Sequence, residues 1–229
     1  MRNIFNTDGT LMNVMSRIAD IVWLNLLFLL CSIPVITIGA SATALYYVVI
    51  RMTNGEEGYV AKSFFRSFRQ NLKQSTVLWL VMLSLHAVLF MDLLYLQRSN
   101  GANTPVGVFI VMIPGFIVLF TGLYVFPLQA RFDNSTVQTL KNALLLSIAN
   151  IPRTVPMLLI SFVFPLLCIY HLNFLPLFFL CAFSLPAYLN AAMLYKVFEK
   201  ITPKQQEASD DEGIFAVSRK MEKDEREKE

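Results

Sequence analysis

YVAKSFFRSFRQNLK, residues Tyr59 to Lys73, lies between two long uncharged runs and is the most informative stretch of the chain. Apolar side chains recur in it every four residues, with one more phenylalanine beside them: Val60, Phe64, Phe68 and Leu72, with Phe65. Basic side chains fall on the other side: Lys62, Arg66, Arg69 and Lys73. This spacing predicts an amphipathic helix with an aromatic face and a basic face. In this position, such a helix is typical of a segment that lies on a membrane surface or presents its charges to a cytoplasmic partner.

The composition indicates an integral membrane protein. The chain has 229 residues, of which 55% are hydrophobic and 15% charged, and its mean hydropathy is +0.55. Soluble domains carry about 25% charged residues, so this chain has too little polar surface for a water-soluble fold. Up to Pro203 there are 13 Lys and Arg against 7 Asp and Glu, and from Lys204 onward there are 6 against 9. We therefore expect a basic membrane domain over 1–203 and a disordered, charged cytoplasmic tail over 204–229.

The first uncharged run is longer than one membrane span and shorter than two. Residues 21–50 carry no charge, and they would form about 45 Å of helix against a hydrocarbon core of about 30 Å. Pro34 and Gly39 interrupt the run, and Gly39 opens a small-residue stretch that suits close helix packing. One interpretation is a single kinked span, and another is a short hairpin that turns near Pro34 to Gly39. A third is a signal peptide cleaved near Ala42, which the length of the run and the later spans disfavour.

The remaining apolar runs complete a helical bundle. Residues 154–195 carry no charge apart from His171, and this run is long enough for two spans. The fold class is therefore an all-α integral membrane bundle of six helices, or of five if the first run crosses only once. The predicted membrane helices lie near 11–33, 38–52, 76–97, 106–129, 154–171 and 174–196. Two cytoplasmic interfacial helices are predicted over 59–73 and 136–150.

The Lys and Arg content of the connections predicts the orientation. Arg51 to Ser75 carries five of these residues, Arg131 to Arg153 carries three, and Lys196 and Lys200 follow the last helix. The connections on the opposite side carry only Arg98. Positively charged connections stay in the cytoplasm, so we expect a cytoplasmic C-terminus. A hairpin in the first run would place the N-terminus in the cytoplasm as well and leave the outside almost free of positive charge, which favours six helices over five.

Two parts of the chain resemble each other. The segment TALYYVVIRMTN, Thr43 to Asn54, is similar to TGLYVFPLQARFDN, Thr121 to Asn134, and each is followed by a further helix. The matched pairs are Arg51 with Arg131, Asn54 with Asn134 and Lys73 with Arg153, 80 positions apart, and Lys62 with Lys141, 79 positions apart. The pattern indicates a duplicated unit of span, cytoplasmic helix and span. Chance similarity between apolar stretches is the alternative, and the second copy is less basic than the first.

Three segments carry a resemblance to a known family. They are SIPVITIGASATALYYV from Ser32, EEGYVAKSFFRSFRQNLKQST from Glu56 and LQARFDNSTVQTLKNALLLSI from Leu128. In this order they resemble the YesL family of bacterial membrane proteins, a family of unknown function, and the resemblance extends to about Lys200. It implies a multi-pass protein of a Gram-positive-type bacterial cytoplasmic membrane. Members are often encoded beside sugar-uptake ABC transporters and polysaccharide-degrading enzymes, and the resemblance supplies no catalytic or binding residues.

The chain carries no recognisable catalytic motif. It has no Gly-rich phosphate loop, no GxSxG, no HExxH and no paired-carboxylate constellation, so we expect neither an enzyme nor a cofactor, and no nucleic-acid partner. His86 and His171 are the only histidines and have no Cys, Asp or Glu at ligand spacing, so no metal site is expected. Cys31, Cys168 and Cys181 lie in apolar runs and are interpreted as small buried hydrophobic residues.

Two groups of residues are candidate sites. Asp92, His86 and Asn25 form a candidate intramembrane polar site, because polar and ionisable groups within spans are often functional. Asp92 lies near the outer end of its span, where it can reach water, and helix–helix hydrogen bonds would explain Asn25 and Asn190 more simply. The other candidate is the basic helix, whose lipid- or partner-facing residues are Lys62, Arg66, Arg69 and Lys73. Its charges could also do no more than fix topology and hold anionic headgroups, at about 1 kcal/mol each.

Two functional hypotheses follow. The first is an accessory or scaffold membrane protein linked to carbohydrate uptake, whose partners are the lipid bilayer and ABC transporter subunits. The second is a small transporter in its own right, which the duplication and the proline-interrupted spans favour. The spans offer little polar lining for a sugar path, which argues against the second. A membrane enzyme is a distant third.

Overall fold

The computed structural model describes residues 7–56, 58–98, 105–170 and 175–199. These residues form helices joined by turns and contain no strand, which confirms the all-α class. The helices are α1 Thr7–Cys31, α2 Ile38–Thr53, α3 Val60–Arg98, α4 Pro105–Arg131, α5 Thr136–Ala149, α6 Ile151–Tyr170, α7 Leu175–Cys181 and α8 over 184–199, with a 3₁₀ turn Val35–Thr37 before α2. The predicted tail, 204–229, lies outside the described residues.

The chain divides into two compact units, Met1–Ala191 and Ala192–Glu229. The described part of the second unit is the end of α8, residues 192–199, and the features below belong to the first unit. Within the described residues, four helical segments are long and apolar enough to cross a membrane: Val35–Thr53, Val60–Leu96, Phe109–Arg131 and Ile151–Tyr170. Their length and composition indicate membrane association.

The first uncharged run folds as two antiparallel helices. Phe28, near the end of α1, lines the same cavity as Leu45 of α2. Asp20, two turns earlier in α1, lines a different cavity together with Arg51, near the end of α2. Residues late in α1 therefore lie near the first half of α2, and residues earlier in α1 lie near the end of α2, so the two helices run in opposite directions. The hairpin interpretation describes this run, and the interpretation as one kinked helix does not.

The predicted interfacial helix over 59–73 and the predicted span over 76–97 are one helix. Helix α3 runs without interruption from Val60 to Arg98, 39 residues, or about 58 Å. No glycine or proline lies between its ends, so nothing in the sequence stops the backbone hydrogen bonds at the boundary. The predicted separation was wrong because a change in side-chain polarity does not by itself end a helix.

The predicted helix over 174–196 is interrupted. Helix α7 ends at Cys181, and α8 begins after a turn at residues 182–183. Pro186 lies in the first turn of α8, where its missing N–H costs nothing, whereas inside a continuous helix its ring would collide with the preceding turn. Pro152 likewise lies in the first turn of α6, and α5 and α6 are separated at Asn150. Each break is therefore followed by a helix that has a proline in its first turn.

Helices α2 and α3 approach each other closely at Gly39. A Cβ atom on this glycine would collide with the carbonyl oxygen of Ser75 and would lie 2.6 Å from the Cβ of Trp79. One turn later, the Thr43 and Ser75 hydroxyls share a buried hydrogen bond of 2.8 Å. The indole of Trp79 donates to the Val35 carbonyl at 2.9 Å, so the start of α2 is tied to the middle of α3. Small residues allow the two backbones to pack at this distance.

The two sequence repeats form similar hydrogen bonds at equivalent positions. Thr43 and Thr121, 78 positions apart, each donate to the carbonyl oxygen four residues earlier, at 3.0 and 2.7 Å. Ser75 and Thr154, 79 positions apart, each bond a hydroxyl on the preceding long helix of their own repeat. Two further side chains at that offset donate through Nδ2 to the carbonyl four residues earlier: Asn71 and Asn150. These matches support an internal duplication of a helical pair.

We expect Gly39→Ala to destabilise the protein and Gly115→Ala to leave it nearly unchanged. The added methyl group at residue 39 would push α2 from α3 and should cost about 1–3 kcal/mol. At Gly115, within α4, an added Cβ meets nothing within 4 Å, and alanine favours the helix. The measurement is the midpoint of thermal unfolding of both purified variants in one mild detergent. Equal midpoints for the two variants would contradict the close contact.

Candidate functional site

The basic stripe, defined here as Lys62, Arg66, Arg69 and Lys73, lies along the exposed face of α3. The opposite face is buried, with Phe64 fully covered and Val60 and Ser67 nearly so. The sequence pattern placed Leu72 on the apolar face of this helix, but its side chain is 37% exposed. Ser75 is buried in its place, because the close approach of α2 requires a small side chain there. Serine rather than leucine therefore continues the buried stripe.

The charges of the basic stripe have no acidic partner within the described residues. The ion pair found there joins Arg51 to Glu56, with Nε 2.8 Å from Oε2. It lies at the turn that connects α2 to α3, away from the exposed face of the stripe. Four positive charges therefore face outward on one helix face and can bind anionic headgroups or an acidic protein surface.

A charged cavity of about 450 Å³ lies where α1, α2 and the start of α3 meet. Its polar lining consists of Ser16, Arg17, Asp20, Arg51, Glu56 and Ser63. The turn beside it is made by Gly55, whose positive φ of 74° suits glycine. The sequence analysis missed this cluster because its members are spread over three elements. Arg51 was interpreted there as one of the charges that set the orientation and as the match of Arg131 in the repeat.

Asn25 is a structural residue in this fold. Its Nδ2 donates to the carbonyl oxygens of Phe178 at 3.2 Å and Phe179 at 2.8 Å, near the end of α7. Its Oδ1 accepts from the backbone N–H groups of Phe183 at 2.9 Å and Ser184 at 3.1 Å, at the start of α8. One buried amide thus satisfies backbone groups at both sides of the break between α7 and α8. With both its oxygen and its nitrogen fully used, Asn25 has no capacity left for a ligand.

The other members of the predicted intramembrane polar site do not join Asn25. Asp92 is exposed on the second half of α3 and lines neither of the two cavities. His86 lines an apolar cavity, and its Nδ1 lies 2.7 Å from the carbonyl oxygen of Met82, one turn earlier. A carbonyl oxygen can only accept, so Nδ1 carries the proton in this contact. His171 lies outside the described residues.

The apolar cavity has a volume of about 530 Å³, is partly open to the surface, and is lined by residues of α1, α2, α3, α4, α6 and the segment around α8. Six aromatic side chains line it: Phe28, Tyr46, Trp79, Phe126, Phe162 and Phe183. Its polar lining residues are Tyr46, Ser161 and His86, and no Lys, Arg, Asp or Glu is among the described residues that line it. Its volume is within the range of about 300–1,000 Å³ that small-molecule sites have.

Asn190 joins two polar residues of this cavity. Its Nδ2 donates to Ser161 Oγ at 2.7 Å and to the Tyr46 hydroxyl at 3.4 Å. The residue is completely buried, and its Oδ1 has no hydrogen-bond partner in the described structure. Both predicted mid-span asparagines thus form helix–helix hydrogen bonds. They differ in that Asn25 is fully satisfied and Asn190 is not.

The chain is similar to one protein family over part of its length. A family model described as a protein of unknown function, DUF624, matches residues 21–93. The match begins within α1 and ends near the end of α3, so it includes the α1–α2 hairpin and the basic stripe. No curated protein and no solved structure matches the chain. The similarity is therefore to a family without an assigned activity and covers less than half of the sequence.

Proposed function

We propose that this is a multi-pass protein of a bacterial cytoplasmic membrane, with six apolar helices and both termini in the cytoplasm. Helices α1 and α2 pair as a hairpin, followed by α3, α4, α6 and the combination of α7 and α8. The antiparallel direction of α1 and α2 supports this arrangement, since the hairpin brings the N-terminus to the side of the α2–α3 turn. The uneven distribution of Lys and Arg supports the orientation.

Within that membrane the protein acts as an accessory or scaffold protein rather than as an enzyme. The observation that carries this proposal is the basic stripe, four charges that have no acidic partner among the described residues and lie on one face of a helix whose other face is buried. Since α3 is about 58 Å long and a hydrocarbon core is about 30 Å thick, part of α3 must extend beyond the core. The charged half is the part that extends, because each buried Lys or Arg would cost several kcal/mol.

The proposed partners are transporter subunits that present an acidic cytoplasmic surface. Complementary charges raise association rates and specificity more than affinity. This suits an accessory factor that binds its partner reversibly. The link to carbohydrate uptake, and to ABC transporters in particular, rests on the resemblance to the YesL family. Anionic headgroups are the competing ligand for the same charges, at about 1 kcal/mol per Lys or Arg.

A second candidate function is transport by the protein itself. The apolar cavity between the helices and the repeated helical pair favour it. The cavity lining is a poor match for a sugar, because a sugar needs many hydrogen-bonding groups and the lining is mainly aromatic and aliphatic. Sugar transport is therefore the weaker of the two proposals.

The orientation can be tested with single cysteines in a variant that has Cys31, Cys168 and Cys181 replaced by serine. A membrane-impermeant maleimide added to intact cells should label Arg98→Cys and should spare Arg66→Cys and Arg2→Cys until the membrane is opened. The cysteine-free parent gives the background. Labelling of Arg2→Cys in intact cells would contradict the hairpin orientation.

The accessory role can be tested by affinity capture from the native membrane at native expression. Wild type should recover ABC transporter subunits, and Lys62/Arg66/Arg69→Ala should recover about tenfold less, which corresponds to 1.4 kcal/mol. The matched control is Arg98/Arg131/Lys141→Ala, which removes the same number of exposed charges elsewhere and should behave as wild type. Equal recovery with both variants, or no specific partner with wild type, would contradict the proposal.

Transport can be tested in proteoliposomes with a panel of labelled mono- and oligosaccharides. If the accessory role is correct, uptake and efflux should equal those of empty vesicles made from the same lipids. Protein-dependent accumulation of any sugar that saturates with concentration would instead establish the second candidate function.

A further inference from the structure

The polar groups at the apolar cavity have unused hydrogen-bonding capacity. Asn190 donates to both Ser161 Oγ and the Tyr46 hydroxyl, so these two oxygens act as acceptors toward it. Each hydroxyl keeps its own hydrogen, and no described residue accepts it. The Asn190 Oδ1 atom, on a residue outside the cavity lining, has no hydrogen-bond partner in the described structure. Unused hydrogen-bonding capacity in an apolar site costs free energy, so the two hydroxyl hydrogens at the cavity wall point to a missing acceptor.

The rest of the lining determines what kind of partner this is. Aromatic and aliphatic side chains surround most of the cavity and suit a hydrocarbon chain. The described lining contains no charged side chain, so a charged headgroup would be buried without a counterion at high cost. A ligand that satisfies both conditions has an apolar chain and an uncharged, oxygen-bearing end.

We propose that the cavity of about 530 Å³ binds a single-chain, uncharged lipid through its hydroxyl or ester oxygen. The chain lies among the aromatic side chains of α1, α2, α3, α4 and α6. The lipid oxygen accepts hydrogen bonds from the Tyr46 and Ser161 hydroxyls. This site is separate from the basic stripe, and it does not depend on the accessory role.

The chain offers a built-in reporter for this site. It contains two tryptophans: Trp79 lines the cavity, and Trp23 is 52% exposed on α1. The substitution Trp23→Phe leaves Trp79 as the sole indole. Because the Trp79 N–H is held by the Val35 carbonyl at 2.9 Å, the ring has a defined position at the cavity wall. Bromine atoms on a bound chain quench tryptophan fluorescence at contact distance.

The experiment titrates Trp23→Phe protein in phospholipid nanodiscs with a chain-brominated monoacylglycerol. We expect saturable quenching of Trp79 by this probe. Two further probes distinguish the source and the charge of the ligand: a brominated phospholipid built into the nanodisc, and the matching brominated fatty acid at a pH where it is ionised. The phospholipid should give only a weak quenching proportional to its mole fraction, and the fatty acid should bind at least about tenfold more weakly than the monoacylglycerol.

Two pairs of variants locate the binding. Ala42→Phe fills the cavity from α2 and should abolish the saturable part of the quenching, whereas Val88→Phe, at an exposed position of α3, should not. Ser161→Ala should weaken monoacylglycerol binding about 2- to 10-fold, the effect of one hydrogen bond. Ser84→Ala removes a hydroxyl that bonds only its own helix, to Leu80, and should have no effect. Because Ser161→Ala is a small change, it tests the site even if Ala42→Phe fails to fold.

Three results would overturn the proposal. The first is quenching by monoacylglycerol that rises in proportion to its bilayer content without saturation, which would mean that Trp79 senses bulk lipid. The second is equal affinity for the ionised fatty acid and the monoacylglycerol, which would remove the argument from the uncharged lining. The third is equal monoacylglycerol affinity in wild type, Ser161→Ala and Ser84→Ala, which would show that the polar residues do not hold the ligand.

Discussion

The close contact between α2 and α3 determines the rest of the structure. With no Cβ at Gly39, the α2 backbone lies directly against the Ser75 carbonyl, and the Thr43–Ser75 hydrogen bond sets the rotation of α3 about its axis. Because α3 is one continuous helix, that rotation also sets the direction of every other side chain on it. The basic stripe is directed outward and Trp79 toward the apolar cavity for the same reason. In a membrane, where apolar surfaces gain little by meeting each other, such small-residue contacts are what orders helices.

Two buried asparagines show how the same residue type can have different roles. Inside an apolar bundle every polar group needs a partner within the protein or a ligand. Asn25 meets this need with four backbone groups at the α7–α8 break, and its contribution is to the fold. Asn190 meets it only in part, and its partners lie at the cavity wall. Asn25 is therefore a structural residue, whereas Asn190 is of interest because its partners are the two hydroxyls at the cavity wall.

Sequence patterns predicted the features that depend on local order along the chain. The 3.6-residue period identified the exposed basic stripe, and the start of the uncharged run after Arg153 separated the predicted helices over 136–150 and 154–171. Features that depend on distant residues were not predictable in this way. The break after Cys181 needs Asn25, more than 150 positions away, as well as Pro186. The charged cavity joins Arg17 to Glu56, and the apolar cavity joins Phe28 to Phe183. No periodicity reports such contacts, and the change in side-chain polarity after Lys73 did not mark a helix end within α3.

The length of α3 also accounts for the short first run. In the proposed membrane arrangement, charge places the segment from Lys62 to Lys73 outside the hydrocarbon core, which leaves about 25 residues, or about 37 Å, to cross it. The α1–α2 hairpin packs against the charged half of α3, and its tip at Val35 reaches only as far as Trp79. A further 19 residues of α3, up to Arg98, extend beyond that tip. In that proposed arrangement the hairpin enters the membrane less deeply than α3 does. An uncharged run too short for two full crossings has the length that such a hairpin needs.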